Sequence, residues 1–223
     1  MPIFSGIEHH SQIGQDIFVI WALDFKENGF FVDIGAHDPV YINNTYLLET
    51  DYNWSGALIE SVSDWVDGYP DKRGCNFLCA DARNVDYRVK FKEWGFPKDI
   101  DYLSLDLDPP PVTLECLKKL PLDEYRFAVV TYEHDIYRSE YNKSWLKCRE
   151  ESREIFKSHG YDLICPDVTW NDHMEDPFED WYVHPALVNM ERINKIRTDK
   201  KTFWKDIILC QKQEEEKSST DIR

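Results

Sequence analysis

The feature that most constrains this chain is a repeating succession of short apolar runs, rich in β-branched and aromatic residues, each followed by a polar stretch of helix-compatible spacing. Runs of this kind are buried on both faces when they pair in parallel beneath covering helices, so the pattern predicts a single doubly wound α/β domain. Strands are expected near 30–34, 56–60, 76–79, 101–106, 126–132, 161–165 and 181–185, in a mostly parallel sheet. Helices are expected at about 12–26, 43–51, 61–68, 111–119 and 144–158, the last stopping at Gly160 as a helix C-terminus often does. A chain of 223 residues suits one domain, taken as 1–210 with an N-terminal helical cap over 1–28. The polar run within 211–223 has too little apolar surface to pack and reads as a disordered tail.

Composition enters where it excludes functions. The formal charge of −16 repels phosphate backbones, so nucleic acid is not an expected substrate. No apolar run approaches the roughly 20 residues that a membrane-spanning helix needs. The first residues have neither a basic segment nor an apolar one, so a soluble, cytoplasmic protein is expected. The six cysteines are scattered apart from Cys75 and Cys79, and with no second pair of soft ligands no structural zinc is expected.

In an open α/β sheet, ligands collect beyond the carboxyl ends of the strands. The first expected strand runs into Asp33-Ile34-Gly35-Ala36-His37-Asp38, an acid followed by a glycine turn that admits a ligand close to the backbone. A dinucleotide fingerprint would need two further glycines, and His37 and Val40 stand at those positions, so NAD and FAD lose ground to a cofactor without a pyrophosphate, such as S-adenosylmethionine (SAM). Glu60, ending the second strand, is placed to accept hydrogen bonds from ribose hydroxyls, with Ser61 beside it. Asp81, after the third, is placed to receive one from an adenine amino group, next to Ala82.

The fourth and fifth strands end in Asp106-Leu107-Asp108-Pro109 and Glu133-His134-Asp135. Oxygen ligands gathered there suit a hard divalent cation, Mg²⁺ or Mn²⁺, held by Asp106 and Glu133 with His134 or Asp108 completing the protein's share. Such a cation would lower the pKa of a bound hydroxyl. His134 is the best-placed general base, with Asp108, His37, His173 and His184 as alternatives.

Taken as an ordered set, several segments resemble the FkbM-like SAM-dependent methyltransferases over most of the chain. They are Ser11-Gln12-Ile13-Gly14-Gln15-Asp16, Phe31-Val32-Asp33-Ile34-Gly35-Ala36, Asn44-Thr45 with Leu48-Glu49, Trp54 to Glu60, Asp101 to Asp108, Glu133-His134 and Glu179-Asp180-Trp181. The resemblance implies a Rossmann-like class I methyltransferase fold and transfer of a methyl group to a hydroxyl. By the same resemblance, Gln12, Gln15 and Asp16 would close over the cofactor, Asn44 and Thr45 would face its methionine carboxylate, and Glu179-Asp180-Trp181 would flank the acceptor. Pro39 and Pro109 stand where related sequences commonly have glycine, which stiffens both loops and weakens any inference about the acceptor.

The expected acceptor is a carbohydrate hydroxyl, for instance on a deoxyhexose such as rhamnose within a glycan. Trp170, Trp181 and Tyr182 are available to stack on sugar faces. A small polyketide-type hydroxyl is the alternative acceptor. A non-catalytic SAM-binding module assembled with a glycosyltransferase, and a nicotinamide-dependent oxidoreductase, are the competing classes.

Overall fold

The computed structural model describes residues 3–4, 7–62, 69–138, 143–173 and 175–208. A two-stranded ribbon, Ile3–Phe4 (β1) with Ile7–Glu8 (β2), precedes helix α1 (Gln15–Ala22). The main sheet is built from β3 (Phe30–Ile34), β4 (Ser55–Glu60), β5 (Asn76–Cys79), β6 (Asp99–Leu105), β7 (Arg126–Glu133), β8 (Asp162–Thr169), β9 (Pro177–Val183) and the short β10 (Thr202–Phe203). Its order is β10-β8-β9-β7-β6-β3-β4-β5. The block from β5 to β7 is parallel throughout, and β9 is inserted antiparallel between β7 and β8.

The sheet separates two cores, and strand alternation decides which residues go to each. One face carries Phe31, Leu58, Tyr102, Val129, Trp181 and the whole of α1, every residue of which is buried. The other carries Val32, Ile59, Leu103, Val130 and Tyr182, covered by α4 (Tyr87–Glu93), α5 (Pro110–Lys119) and α6 (Ser144–Ser158). A helix that is apolar all round from Ile17 to Ala22, as α1 is, stands only where protein surrounds it, which is how Ile17, Phe18 and Ile20 are housed.

Departures from expectation have local causes. The expected last strand, 181–185, is displaced to Pro177–Val183, and the sheet gains the edge strand β10. Helix α1 starts at 15 rather than 12 because Gly14 is left-handed (φ 75°) and packs against Trp204. It ends at Ala22 because Asp24 and Phe25 turn the chain with positive φ. Most of the helix expected over 61–68 lies outside the described residues; the helical turn α3 (Tyr69–Lys72) follows it, and α2 (Tyr46–Tyr52) fills the expected 43–51 stretch.

Candidate functional site

Strand order reverses between β3 and β6, and beyond the strand ends there a cleft of about 500 Å³ opens. Gly35 makes the turn at its base with φ 86°, and a Cβ added there would overlap the Asp106 carbonyl oxygen, so only glycine fits. The turn is tied down on both sides: Gly35 N–H donates to the Ile59 carbonyl at 2.9 Å, and Asp106 N–H to the Ile34 carbonyl at 3.0 Å.

One end of the cleft is lined by Gly35, Ala36, His37, Glu60 and Ser61. Glu60 accepts from the backbone N–H groups of His37 (2.9 Å), Ser61 (2.7 Å) and Val62 (2.8 Å), which orients its carboxylate. A neighbouring pocket of about 370 Å³ shares Ser61, Leu107 and Asp108 with the cleft and adds Asp81 and Ala82. Asp81 caps the turn at 82–84 and holds Arg83 through both carboxylate oxygens, at 3.0 and 2.7 Å.

Asp33 is buried in the cleft wall, and burial pushes its carboxyl up to about 6 although Ser104, Arg73 and Thr45 all oppose that. The Thr45 hydroxyl donates to it at 3.0 Å and in turn accepts from Arg73 at 3.1 Å. Arg73 also reaches Glu49 (2.6 Å), the Pro39 carbonyl (3.1 Å) and Asn43 (3.0 Å), so one buried guanidinium shapes the whole 39–45 loop. Asn44 lines the cleft and bonds Ser104 at 3.0 Å, whereas Thr45 stands behind Asp33. Of the N-terminal candidates only Gln12 lines the cleft. Gln15 is buried and accepts from Ile13 N–H at 2.9 Å. Asp16 is buried too, gathering Ser11 and the N–H groups of His10 and Ile17, so both organise the segment leading into α1 instead of facing a ligand.

The other end is acidic. Asp106, Glu133, Asp135 and the exposed Asp108 line it. Burial raises Asp106 to about 7 and lifts Glu133 well above the usual carboxylate range, the second also because Asp106 lies beside it. Burial likewise raises Asp135 to about 6 against the pull of Arg138, which sits 3.2 Å away. The other carboxylate oxygen of Asp135 is buried with no hydrogen-bond partner among the described residues. Glu179, paired with Glu133 across β7 and β9, is raised by burial to about 8 while accepting from the Trp181 indole. Carboxyl groups thus stand on one face at the ends of five adjacent strands: Glu179, Glu133, Asp106, Asp33 and Glu60.

His134 is not part of this group, which corrects the expectation that it joins Asp106 and Glu133 as ligand or base. It follows Glu133 directly, and consecutive residues of an extended chain point to opposite faces. Fully buried, its Nε2 lies 3.5 Å from Asp167 and 3.5 Å from Asp180, on the side covered by α6. His134, Asp167 and Asp180 bring three ligand atoms within 4.8 Å of one another. Their charge is already met, because Arg149 and Arg153 bond Asp167 at 2.8 and 2.9 Å and Arg153 grips Asp180 at 2.8 Å through two nitrogens. Burial opposes ionisation of Asp180, yet the Arg153 hydrogen bonds prevail and hold its carboxyl far below the usual range. A cation there would have to displace two guanidinium groups.

Glu179-Asp180-Trp181 is also more interior than expected. All three are buried, and Trp181 stacks on Phe18 at 4.5 Å, so neither it nor the buried Tyr182 reaches the acceptor side. Phe178 and Trp170 do line the cleft. Trp170 is 47% exposed, its indole anchored to Asp176 at 3.1 Å and its ring 6.3 Å from that of Tyr137. Sequence reasoning missed Asp135, Tyr137, Arg138 and Arg73. Asp135 reaches the cleft through a left-handed backbone (φ 50°), and Tyr137 and Arg138 through the tight turn Ile136–Arg138, none of which strand alternation signals; nothing near Arg73 marked it.

No model of a protein family matches the sequence, and no curated protein matches it. Among solved structures, a protein named as an rRNA-methylase from Clostridium thermocellum aligns at TM-score 0.52 and 12% identity, over 79% of this chain and 99% of that one. Precorrin-6y C5,15-methyltransferase from Geobacter metallireducens aligns at 0.49 and 11%, over 75% and 86%. The N-methyltransferase NodS from Bradyrhizobium japonicum, in complex with S-adenosylhomocysteine, aligns at 0.47 and 8%, over 77% and 85%. The chain has the Rossmann-like fold of class I methyltransferases, a mostly parallel sheet with helices on both faces.

Proposed function

We propose that the protein is a SAM-dependent O-methyltransferase that acts on a carbohydrate hydroxyl. The observation that carries this reading is the meeting, at the switch point, of a glycine-only turn with a row of carboxyl groups at the ends of five neighbouring strands. The first half fits the cofactor. A Gly35 backbone that no side chain can crowd, an oriented Glu60 and the adjoining pocket at Ser61, Asp81 and Ala82 suit a nucleoside without a pyrophosphate. Asp33, Asn44 and Gln12 also line the cleft and are left for its amino-acid end.

When bound, SAM supplies an electrophilic methyl group whose bond to sulfur breaks as the new bond to oxygen forms. The chain's own task is to hold the acceptor oxygen in line and take its proton. Asp106 and Glu133 face the cleft side by side; burial raises both, Asp106 raises Glu133 further while a hydrogen bond from Glu133 holds Asp106 lower, and Asp106, ionised near neutral pH, is a competent proton acceptor. Asp108 lies at the same rim, 3.5 Å from Arg138. The unmatched oxygen of buried Asp135 favours a cation in this corner, and Asp106 and Glu133, with Asp135 in the place first given to His134, are the residues that would hold Mg²⁺ or Mn²⁺. There the ion would lower the pKa of the acceptor hydroxyl. Trp170 and Tyr137 offer aromatic surface for a sugar's C–H face.

The test is transfer of radiolabelled methyl from SAM to a panel of monosaccharides and oligosaccharides, with Mn²⁺ or with a chelator. Methylation that the chelator abolishes supports the whole reading, and methylation that survives it removes the cation. Transfer only to amines would replace O-methylation by N-methylation.

A further inference from the structure

A third hollow adjoins the cleft and plays no part in the chemistry above. It encloses about 280 Å³ between the segment His9 to Gln12 and the loop Val40-Tyr41-Ile42, and it shares Gln12 and Ile42 with the main cleft. One wall is apolar, with the adjacent Tyr41 65% exposed and Ile42 38% exposed.

The opposite wall carries His9, only 8% exposed. Its ring is set edge-on to Trp204, with centroids 5.5 Å apart, and its Nδ1 lies 3.1 Å from the Ser11 carbonyl oxygen. A carbonyl can only accept, so Nδ1 carries the hydrogen, and in the neutral ring Nε2 is then a bare acceptor. That nitrogen is buried and has no partner among the described residues. An acceptor left unmatched inside a protein costs free energy that a ligand hydroxyl recovers.

We infer that this hollow is a second acceptor subsite, which takes the sugar ring next to the one being methylated. The apolar face of that ring lies on Tyr41 and Ile42, and one of its hydroxyls donates to His9 Nε2. The inference rests on the carbohydrate reading above and deepens it: the substrate is the end of an oligosaccharide rather than a free monosaccharide. The hollow is lined by neither Glu60 nor Asp81, so it stands apart from the residues given to the nucleoside, and it opens on the main cleft at Gln12 and Ile42.

The experiment uses the full chain saturated with S-adenosylhomocysteine on an array of mono-, di- and trisaccharides. Wild type is compared with His9→Phe, which keeps a ring against Trp204 but removes the acceptor, and with Tyr41→Ala, an exposed position where folding is not at stake. Calorimetry with S-adenosylhomocysteine is run on all three proteins. The expected result is binding to di- and trisaccharides at least about tenfold above the corresponding monosaccharides, a drop of about tenfold in both variants, and unchanged S-adenosylhomocysteine affinity. Equal binding of mono- and disaccharides, variants that bind as wild type does, or an array that captures nothing would each overturn the inference. So would a loss of S-adenosylhomocysteine affinity in the variants, which would give the hollow to the cofactor. Absence of S-adenosylhomocysteine binding by wild type would instead sink the parent reading.

Discussion

Two clusters of acids sit back to back at the end of β7, one on each face of the sheet. On the α6 face, Asp167 and Asp180 are gripped by Arg149 and Arg153 with His134 alongside, and Asp180 is held ionised. On the α1 face, Asp135 and Glu179 are buried and Asp106 and Glu133 partly so, with the half-exposed Arg138 at their edge, and each acid is pushed towards its neutral form. The residue types are alike; the compensation differs. A structural cluster carries its own counter-charges, whereas a cluster left short of them is completed from outside, by a proton, a cation or a substrate.

The comparison can be broken most forcefully on the α6 face. Arg153→Met leaves Asp180 buried without its cation and is expected to destabilise the protein by about 3 kcal/mol, read from denaturant melts; a loss below about 0.5 kcal/mol would mean that the cluster is not self-contained. On the α1 face the expected pattern is opposite. Asp106→Asn and Glu133→Gln should each lower methyl transfer at least about 100-fold while raising stability at pH 8 by roughly 1–2 kcal/mol, because a strained negative charge has been removed. Variants that lose activity and stability together would make these acids structural.

The pH dependence sharpens the same contrast. Asp33, Asp106, Asp135 and Glu179 hold their protons to about 6, 7, 6 and 8 when folded, all above their unfolded values. Over that range the folded chain binds more protons than the unfolded one, so its stability is greatest in mild acid and falls as the pH rises through these values. Between about pH 5 and pH 8 the metal-free protein should lose stability steadily, and Mn²⁺ should restore part of it at the alkaline end. A flat profile would show that the acids are not strained. The smallest effect belongs to His134→Gln. It should change methyl transfer by less than about threefold and cost about 1 kcal/mol of stability; complete loss of activity with cofactor binding intact would put His134 back among the catalytic groups.

Much of this architecture was legible because apolar runs mark strands directly, and the helix at 144–158 is found at Ser144–Ser158. Its edges were less so. Gly14 and Phe25 set the limits of α1 through backbone conformations that apolar spacing does not encode. At the site, the strand-end acids were visible as types but not as directions. Glu133 and His134 are neighbours in sequence and therefore opposites across the sheet, and the same parity separates Glu179 from Asp180. Asp135 and Tyr137 reach the cleft because Asp135 turns the chain with positive φ and Ile136–Arg138 wind into a tight turn, backbone states that apolar spacing does not encode. Arg73 was illegible for a different reason: its partners, Glu49, Pro39, Asn43 and Thr45, lie 24 to 34 residues away, and no local pattern announces a contact of that range.

The central claim is that the cleft at the Gly35 turn holds a nucleoside cofactor without a pyrophosphate, and titration calorimetry of the wild-type chain with S-adenosylhomocysteine and, separately, NADH tests it most directly. The account predicts micromolar binding of S-adenosylhomocysteine and none of NADH; NADH binding, or no binding of S-adenosylhomocysteine, would contradict it.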